Sequence, residues 1–336
     1  MSRRRLVVLA PETLFRSFFD PPRERRLGRG FDWTRASDRR VTPHLRRLLA
    51  GADALVTTWD SPRFGEELLS LAPRLRLVAH CGGEVKARFA RTLFDRLVIA
   101  NATGPMAPLV AELAVTFVLM AARRVDAYRE ALRRPSNRIY QKLHLEGAGS
   151  ETLRGRSVGI LGFGRIGRET VRLLRPFGPR LLGHDPYVAA RTLRDQGAVS
   201  VSLRRLLRES EFLVVAAALT QGTRRLLDRA ALRRLPDGAT VVNVARGGIV
   251  DLAALTAEVR SGRLRCALDV TDPLEPLPLR HPLRRMRGAV VTPHVGAAAV
   301  EVRRAMADTV LDALERYFRG ERVATRVTPR MLERMT

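Results

Sequence analysis

The sequence predicts an α/β protein of two parallel-sheet domains, one inserted into the other. Three observations carry this. Short apolar runs alternate with helical patterns through both halves of the chain. At 336 residues the chain exceeds what a single core usually covers. A long helical pattern near the C-terminus follows the last strand of the second series, so it is expected to cross back to the first domain. In order, residues 6–10, 54–58, 75–79 and 97–100 read as strands, with helices at 43–50 and 64–71 between them. Residues 21–40 are polar and rich in Gly, Pro and Arg, and read as an exposed excursion. Residues 107–124 are apolar nearly all round and predict a buried helix. Residues 125–152 are polar and irregular, and suit an arm at a subunit interface. A second series of strands follows near 157–161, 180–184, 212–217, 239–244, 264–269 and 288–292, then a helix over 300–317.

The turn after the first strand of that second series fixes a ligand. Gly162-Phe-Gly164-Arg165-Ile166-Gly167 lies between an apolar strand and a helical pattern. The glycines permit a tight turn, close approach of backbone to a pyrophosphate, and close packing of helix on strand. The amides and dipole of that helix N-terminus favour phosphate charge. Alone such a turn is weak evidence. Here the next strand ends at Asp185, 18 residues after Gly167, where a carboxylate would meet the ribose hydroxyls. The second domain therefore reads as a Rossmann-type dinucleotide-binding unit. Asp185 repels a 2′-phosphate and favours NAD over NADP. Arg191 and Arg194, a few residues on, soften that preference.

The formal net charge of +26 is extreme, and only Lys86 and Lys142 among 60 basic residues are lysines. A nucleic-acid partner is the first reading of such a charge. The arginines, however, are scattered along the chain in pairs such as Arg133-Arg134 and Arg204-Arg205, and aromatics reach only 5%. Dispersed charge without stacking platforms predicts no specific nucleic-acid complex. Cys81 and Cys266 are too few for a disulfide framework or metal site, so no metal is expected. No apolar stretch is long enough to span a membrane. The basic start is followed by five apolar residues and then Pro11-Glu12, which reads as a strand and not a signal peptide. A cytoplasmic protein is expected.

Three segments at strand ends carry chemistry, because open α/β sheets place ligands there. Ala245-Arg246-Gly247-Gly248 offers a cation with close backbone access, suited to forked recognition of a carboxylate. Asp269-Val-Thr-Asp272-Pro-Leu-Glu275-Pro supplies carboxylates in a Pro-rich loop. Thr292-Pro-His294 puts an imidazole directly after a strand. A ketone reduced by a nicotinamide needs a proton as hydride arrives at carbon, and His294 is the group to give it. A carboxylate on its other ring nitrogen would fix the tautomer. Arg246 would anchor the substrate carboxylate.

Together with Val110-Ala-Glu112 and Leu153-Arg-Gly-Arg-Ser-Val-Gly159, these pieces resemble the D-isomer-specific 2-hydroxyacid dehydrogenase family. The resemblance implies an NAD-dependent interconversion of a small 2-hydroxy acid and its 2-keto acid. It implies Arg246, Glu275 and His294 as the catalytic trio, with Asp269 near the nicotinamide carboxamide. The Gly82-Gly83 turn would offer amides to the substrate carboxylate. A flavodoxin-like substrate domain over 1–104, completed by 298–336, would carry the dinucleotide domain 105–297. A homodimer is implied, with residues 105–150 embracing the partner. Departures leave points open. The acidic loop is one residue longer than usual, so Asp272 competes with Glu275 as partner of His294. Ala216-Ala217-Ala218 stands where many members carry His-x-Pro, and Cys81-Gly-Gly-Glu84-Val-Lys86 replaces the usual Gly-x-Gly-x-Asp. The competing reading is an NAD-binding transcriptional partner of the same fold with little or no turnover.

Overall fold

The computed structural model describes residues 3–133 and 152–335. The chain forms two compact units, Met1–Met106 with Ala298–Thr336, and Ala107–Ala297.

In the first unit five parallel strands lie in the order β2-β1-β3-β4-β5. They are β1 (Arg4–Leu9), β2 (Phe31–Ala36), β3 (Ala54–Thr57), β4 (Leu77–His80) and β5 (Val98–Asn101). The period-two pattern sorts their side chains to opposite faces. Val7, Leu9, Leu55 and Val78 enter one core, while Leu6, Val8, Val56 and Leu77 enter the other. Helix Val300–Phe318 closes this second face through Met306, Val310, Leu311 and Leu314. A sheet covered on both faces explains why its strands read as continuous apolar runs.

Residues 21–40, expected as an excursion, instead form helix Pro21–Gly30 and edge strand β2. The start signals are ordinary ones: Asp20 accepts from the Arg23 amide and Pro21 sits at the first turn. What hides the helix is its composition, since only Leu27 is buried. Arg26 pairs with Glu315 at 2.6 Å and Asp312 at 2.6 Å, and Arg23 with Asp308 at 2.5 Å. These arginines tie the helix to partners nearly 290 residues away in sequence, which local pattern cannot show. The expected helix over 64–71 shrinks to Leu68–Leu71, because Phe64 bridges Phe89 in strand fashion and Glu67 caps the Gly65 amide.

In the second unit seven parallel strands run β12-β11-β10-β9-β6-β7-β8. They are β6 (Ser157–Leu161), β7 (Arg180–His184), β8 (Val199–Ser200), β9 (Phe212–Val215), β10 (Thr240–Asn243), β11 (Arg265–Leu268) and β12 (Ala289–Val291). This is the doubly wound order, with its direction reversing between β6 and β9. Six of the seven were expected. The two-residue edge strand β8 is too short to show a period. Helix Met106–Ala122 packs Ala114, Phe117 and Val118 with Val158, Ile160 and Val214. The expected subunit arm over 125–152 begins as helix Val125–Ala131, and its remainder from 134 to 151 lies outside the described residues.

Candidate active site

The turn after β6 stands at the reversal point of the sheet. Gly162 has φ +94°, and a Cβ there would lie 2.5 Å from the backbone of Ala217. Both facts demand glycine. The Ala216–Ala218 stretch therefore passes directly against the turn. A Cβ on Gly167 would meet the Gly162 carbonyl oxygen at 2.1 Å, so helix Arg165–Leu174 and turn are in contact. Gly164 faces open space and caps that helix without any side-chain bond. Asp185 accepts the Phe163 amide at 2.8 Å and the Tyr187 amide at 2.9 Å, one on each oxygen. Open space over uncapped helix amides fits a pyrophosphate. A carboxylate locked against the same turn, with lone pairs left over, fits a ribose diol.

A second network forms at the ends of β10, β11 and β12. Asp269 is buried at 2% exposure, and burying a carboxylate is costly unless it is fully bonded. It accepts from Thr292 Oγ1 at 2.6 Å, the Val295 amide at 2.8 Å and the Gly296 amide at 2.9 Å. Its backbone carbonyl takes the His294 amide at 2.9 Å. The chain is thus pinned on both sides of His294, which adopts φ +55°, a left-handed conformation uncommon outside glycine. Strain of this kind persists only where surrounding bonds impose it. Asp269, expected beside the nicotinamide, has both carboxylate oxygens engaged by its own chain.

His294 Nδ1 lies 2.6 Å from Glu275 Oε2. The other Glu275 oxygen accepts the Thr271 amide at 3.1 Å. Asp272, the competing partner, is exposed and makes no hydrogen bond or ion pair to the imidazole among the described residues. His294 Nε2 has no protein partner among the described residues, and the side chain is 47% exposed. Arg246 is half-buried and donates from Nη1 to its neighbour's carbonyl at 2.8 Å. Its turn is clamped by buried Asn243, which accepts the Ala245 amide and donates to the Arg246 carbonyl. A Cβ on Gly247 would strike the Thr271–Asp272 peptide at 2.1 Å, so the arginine turn packs on the loop that carries Glu275. Asn243, Thr271 and Thr292 were missed in the sequence. An Asn closing a strand before a glycine turn was the available signal for the first.

In the first unit the Gly82-Gly83 turn follows β4. The Gly82 amide donates to the His80 carbonyl at 2.8 Å and so is taken, whereas the Gly83 amide has no partner among the described residues. Asn101 holds the Gly83 carbonyl at 3.1 Å. His80 is wholly buried, with Nδ1 2.9 Å from Thr57 Oγ1 and Nε2 unbonded. Burial pushes its pKa down to about 3, so it is neutral at ordinary pH. A Cβ on Gly82 would lie 2.3 Å from that Nε2 and 3.0 Å from the Trp59 indole nitrogen.

A doubly wound sheet with a pyrophosphate cradle at its reversal point, and a histidine–carboxylate pair at neighbouring strand ends, defines a nucleotide-dependent oxidoreductase. The comparisons specify the class. Residues 115–296 match the family model described as D-isomer specific 2-hydroxyacid dehydrogenase, NAD binding domain. A hydroxypyruvate reductase of Thermotoga maritima is 30% identical over 82% of this chain and 87% of its own length. A D-3-phosphoglycerate dehydrogenase of Mycobacterium leprae is 33% identical over 83% of this chain, which spans only 52% of that relative. The solved D-mandelate dehydrogenase of Rhodotorula graminis superposes with a TM-score of 0.85 at 24% identity, covering 97% of this chain and 98% of that one. The chain belongs to the D-isomer specific 2-hydroxyacid dehydrogenase family. It is an NAD-dependent oxidoreductase of the 2-hydroxyacid class, and nothing in these relatives supports the transcriptional reading. Among the described residues no helix is long and apolar enough to cross a membrane.

Proposed function

We propose that the protein interconverts a small D-2-hydroxy acid and its 2-keto acid, with His294 as acid/base and Arg246 as substrate anchor. The observation that carries the assignment is the His294 Nδ1–Glu275 contact at 2.6 Å with Nε2 left unpartnered. Bound NADH supplies the hydride to the carbonyl carbon, and NAD accepts it in reverse. Glu275 holds the ring so that Nε2 carries the mobile proton, which passes to the carbonyl oxygen as it becomes an alkoxide. In the oxidative direction the same nitrogen removes the hydroxyl proton. Asp269 is a positioning residue: it fixes the segment that carries His294. Arg246 binds the substrate carboxylate by its fork and orients the carbonyl.

Gly162, Gly164, Arg165, Ile166 and Gly167 cradle the pyrophosphate, and Asp185 binds the ribose diol and disfavours NADP. The protein acts in the cytoplasm as a homodimer, and its dispersed arginines bind nucleic acid weakly and without sequence preference. The test is a panel of 2-keto acids assayed with NADH and NADPH by loss of reduced-cofactor absorbance. NADH-dependent reduction of at least one small 2-keto acid supports the assignment, and inactivity across the panel sinks it. Light scattering settles the dimer.

A further inference from the structure

At the C-terminal edge of the first unit's sheet, the loop after β3 carries Trp59 and is fixed by buried hydrogen bonds. Thr58 Oγ1 and Ser61 Oγ both donate to the Leu9 carbonyl, at 2.9 and 3.0 Å. The Thr58 amide donates to Ser61 Oγ at 2.8 Å, and Arg88 holds the Trp59 carbonyl. The indole packs on Phe18, with ring centres 5.3 Å apart, yet Trp59 remains 39% exposed. A Cβ on Gly82 would lie 3.0 Å from the indole nitrogen, so the ring abuts the peptide that ends in the free Gly83 amide. Arg303, on the first turn of helix Val300–Phe318, lays its guanidinium 5.7 Å from the Trp59 ring centre. The ring face attracts the cation but neutralises no charge. Arg303 is half-buried, and its Nε is wholly buried without a partner. Among the described residues its guanidinium makes no hydrogen bond or ion pair. The acids flanking Phe18 and Trp59 in sequence are engaged elsewhere, Asp20 by Arg23 and Arg304 and Asp60 by Arg39.

A partly desolvated guanidinium without an anion is costly, and so is its unbonded buried donor. An anionic group on a ligand supplies the missing charge through charge-assisted bonds to the guanidinium fork. The free Gly83 amide, the indole and the guanidinium follow one another along this edge. A ligand whose carboxylate sits at the amide therefore presents its far end to Arg303. Resting on the dehydrogenase reading of the protein, we propose that Arg303, set against Trp59, selects 2-keto acids whose substituent carries a second anionic group, a carboxylate or a phosphate.

The test uses the full chain with NADH and pairs of 2-keto acids that differ in the distal charge. They are 2-oxoglutarate against 2-oxopentanoate for a carboxylate, and 3-phosphohydroxypyruvate against hydroxypyruvate for a phosphate. In at least one pair kcat/KM should favour the doubly charged acid by about tenfold or more, mostly through KM. Arg303→Leu should bring that ratio to within about twofold of unity, and Arg303→Lys should keep part of it. NADH binding should stay unchanged in both variants and so confirm an intact fold. A second readout needs no turnover. Only two tryptophans are present, so Trp33→Phe leaves Trp59 as the sole indole. With NAD bound, which cannot reduce it, the favoured acid should change Trp59 fluorescence, and Arg303→Leu should abolish the change. No preference in either pair, a preference that survives Arg303→Leu, or an identical fluorescence response in that variant would overturn the proposal and leave the dehydrogenase reading standing. Phenylpyruvate outperforming both doubly charged acids would also overturn it and make Trp59 a platform for an aryl substituent. Turnover of no 2-keto acid at all would instead overturn the dehydrogenase reading, and this assignment with it.

Discussion

The C-terminal edges of the two sheets solve the same problem differently. At the ends of β10, β11 and β12 nearly every polar group near the candidate chemistry is satisfied by the chain itself. Asp269 takes three donors, Glu275 takes the Thr271 amide and the imidazole, and Asn243 closes the arginine turn. At the ends of β3 and β4, His80 Nε2 and Arg88 Nε are buried without partners. Arg88 nonetheless reaches the Ser61 carbonyl at 2.5 Å and the Trp59 carbonyl at 3.0 Å. The difference teaches where orientation is built in. A group whose neighbours are all bonded keeps its geometry, as catalysis demands. A buried unbonded nitrogen instead carries a stability penalty.

The sharpest way to break the comparison is at His294. In the satisfied edge only its Nε2 is left to act. His294→Asn should lower turnover of the best 2-keto acid by roughly 10²–10⁴-fold. NADH binding, read by cofactor fluorescence, should survive. Near-normal turnover in this variant would refute the assigned chemistry.

Asp269→Ala tests whether the network orients His294. Three donors would lose their buried acceptor, so stability should fall by about 2–4 kcal/mol in urea unfolding. Turnover should fall by roughly 10²-fold, because the left-handed backbone at His294 is no longer imposed. An Asp269→Asn variant keeps one acceptor oxygen and should recover part of both losses. A variant that is less stable yet fully active would show that the network is structural alone.

Glu275→Gln and Asp272→Asn form a matched pair on the lengthened loop. The first should lower kcat by about 10–100-fold with KM little changed, since an orienting partner of the imidazole is weakened. The second should do nothing measurable, because Asp272 makes no hydrogen bond to the ring among the described residues. The reverse result would reassign the partner. Asp185→Ala should narrow the preference for NADH over NADPH by about tenfold, read as the ratio of kcat/KM values. An unmutated protein that favours NADPH would remove that role altogether.

How much of this was legible depends on range. The glycine turn, Arg246, Glu275 and His294 stand out because each motif is local and sits at the end of a strong apolar strand. The same holds for helix Pro43–Ala50, found where the pattern put it. Helix Pro21–Gly30 was missed although Asp20-Pro21 announces it, because its stabilising partners lie on helix Val300–Phe318 and its arginines mimic a loop. The hydrogen-bond network of Asp269 was hidden for a related reason. Its donors, Thr292, Val295 and Gly296, come from another strand end. The unpaired nitrogen of His80 was invisible, since a His closing an apolar strand gives no sign of what its ring lacks.

That nitrogen yields the smallest effect, and it is read through pH. The folded His80 has its pKa pushed down to about 3 by burial, from an ordinary value of 6.5. Folding therefore opposes its protonation. Above pH 6.5 both states are neutral at this site and stability does not change. As pH falls from 6.5 toward 3, the unfolded chain takes up the proton and the folded one does not. Stability is then lost at up to about 1.4 kcal/mol per pH unit. His80→Leu removes both the titration and the unbonded nitrogen. Between pH 6.5 and 4 its urea midpoint should fall less steeply than that of the parent, by the slope of about one proton. Every other titrating group is shared by the two proteins and cancels in the difference. Identical slopes would mean that His80 finds a partner or water in solution, and the contrast between the two sheet edges would lose its clearest member.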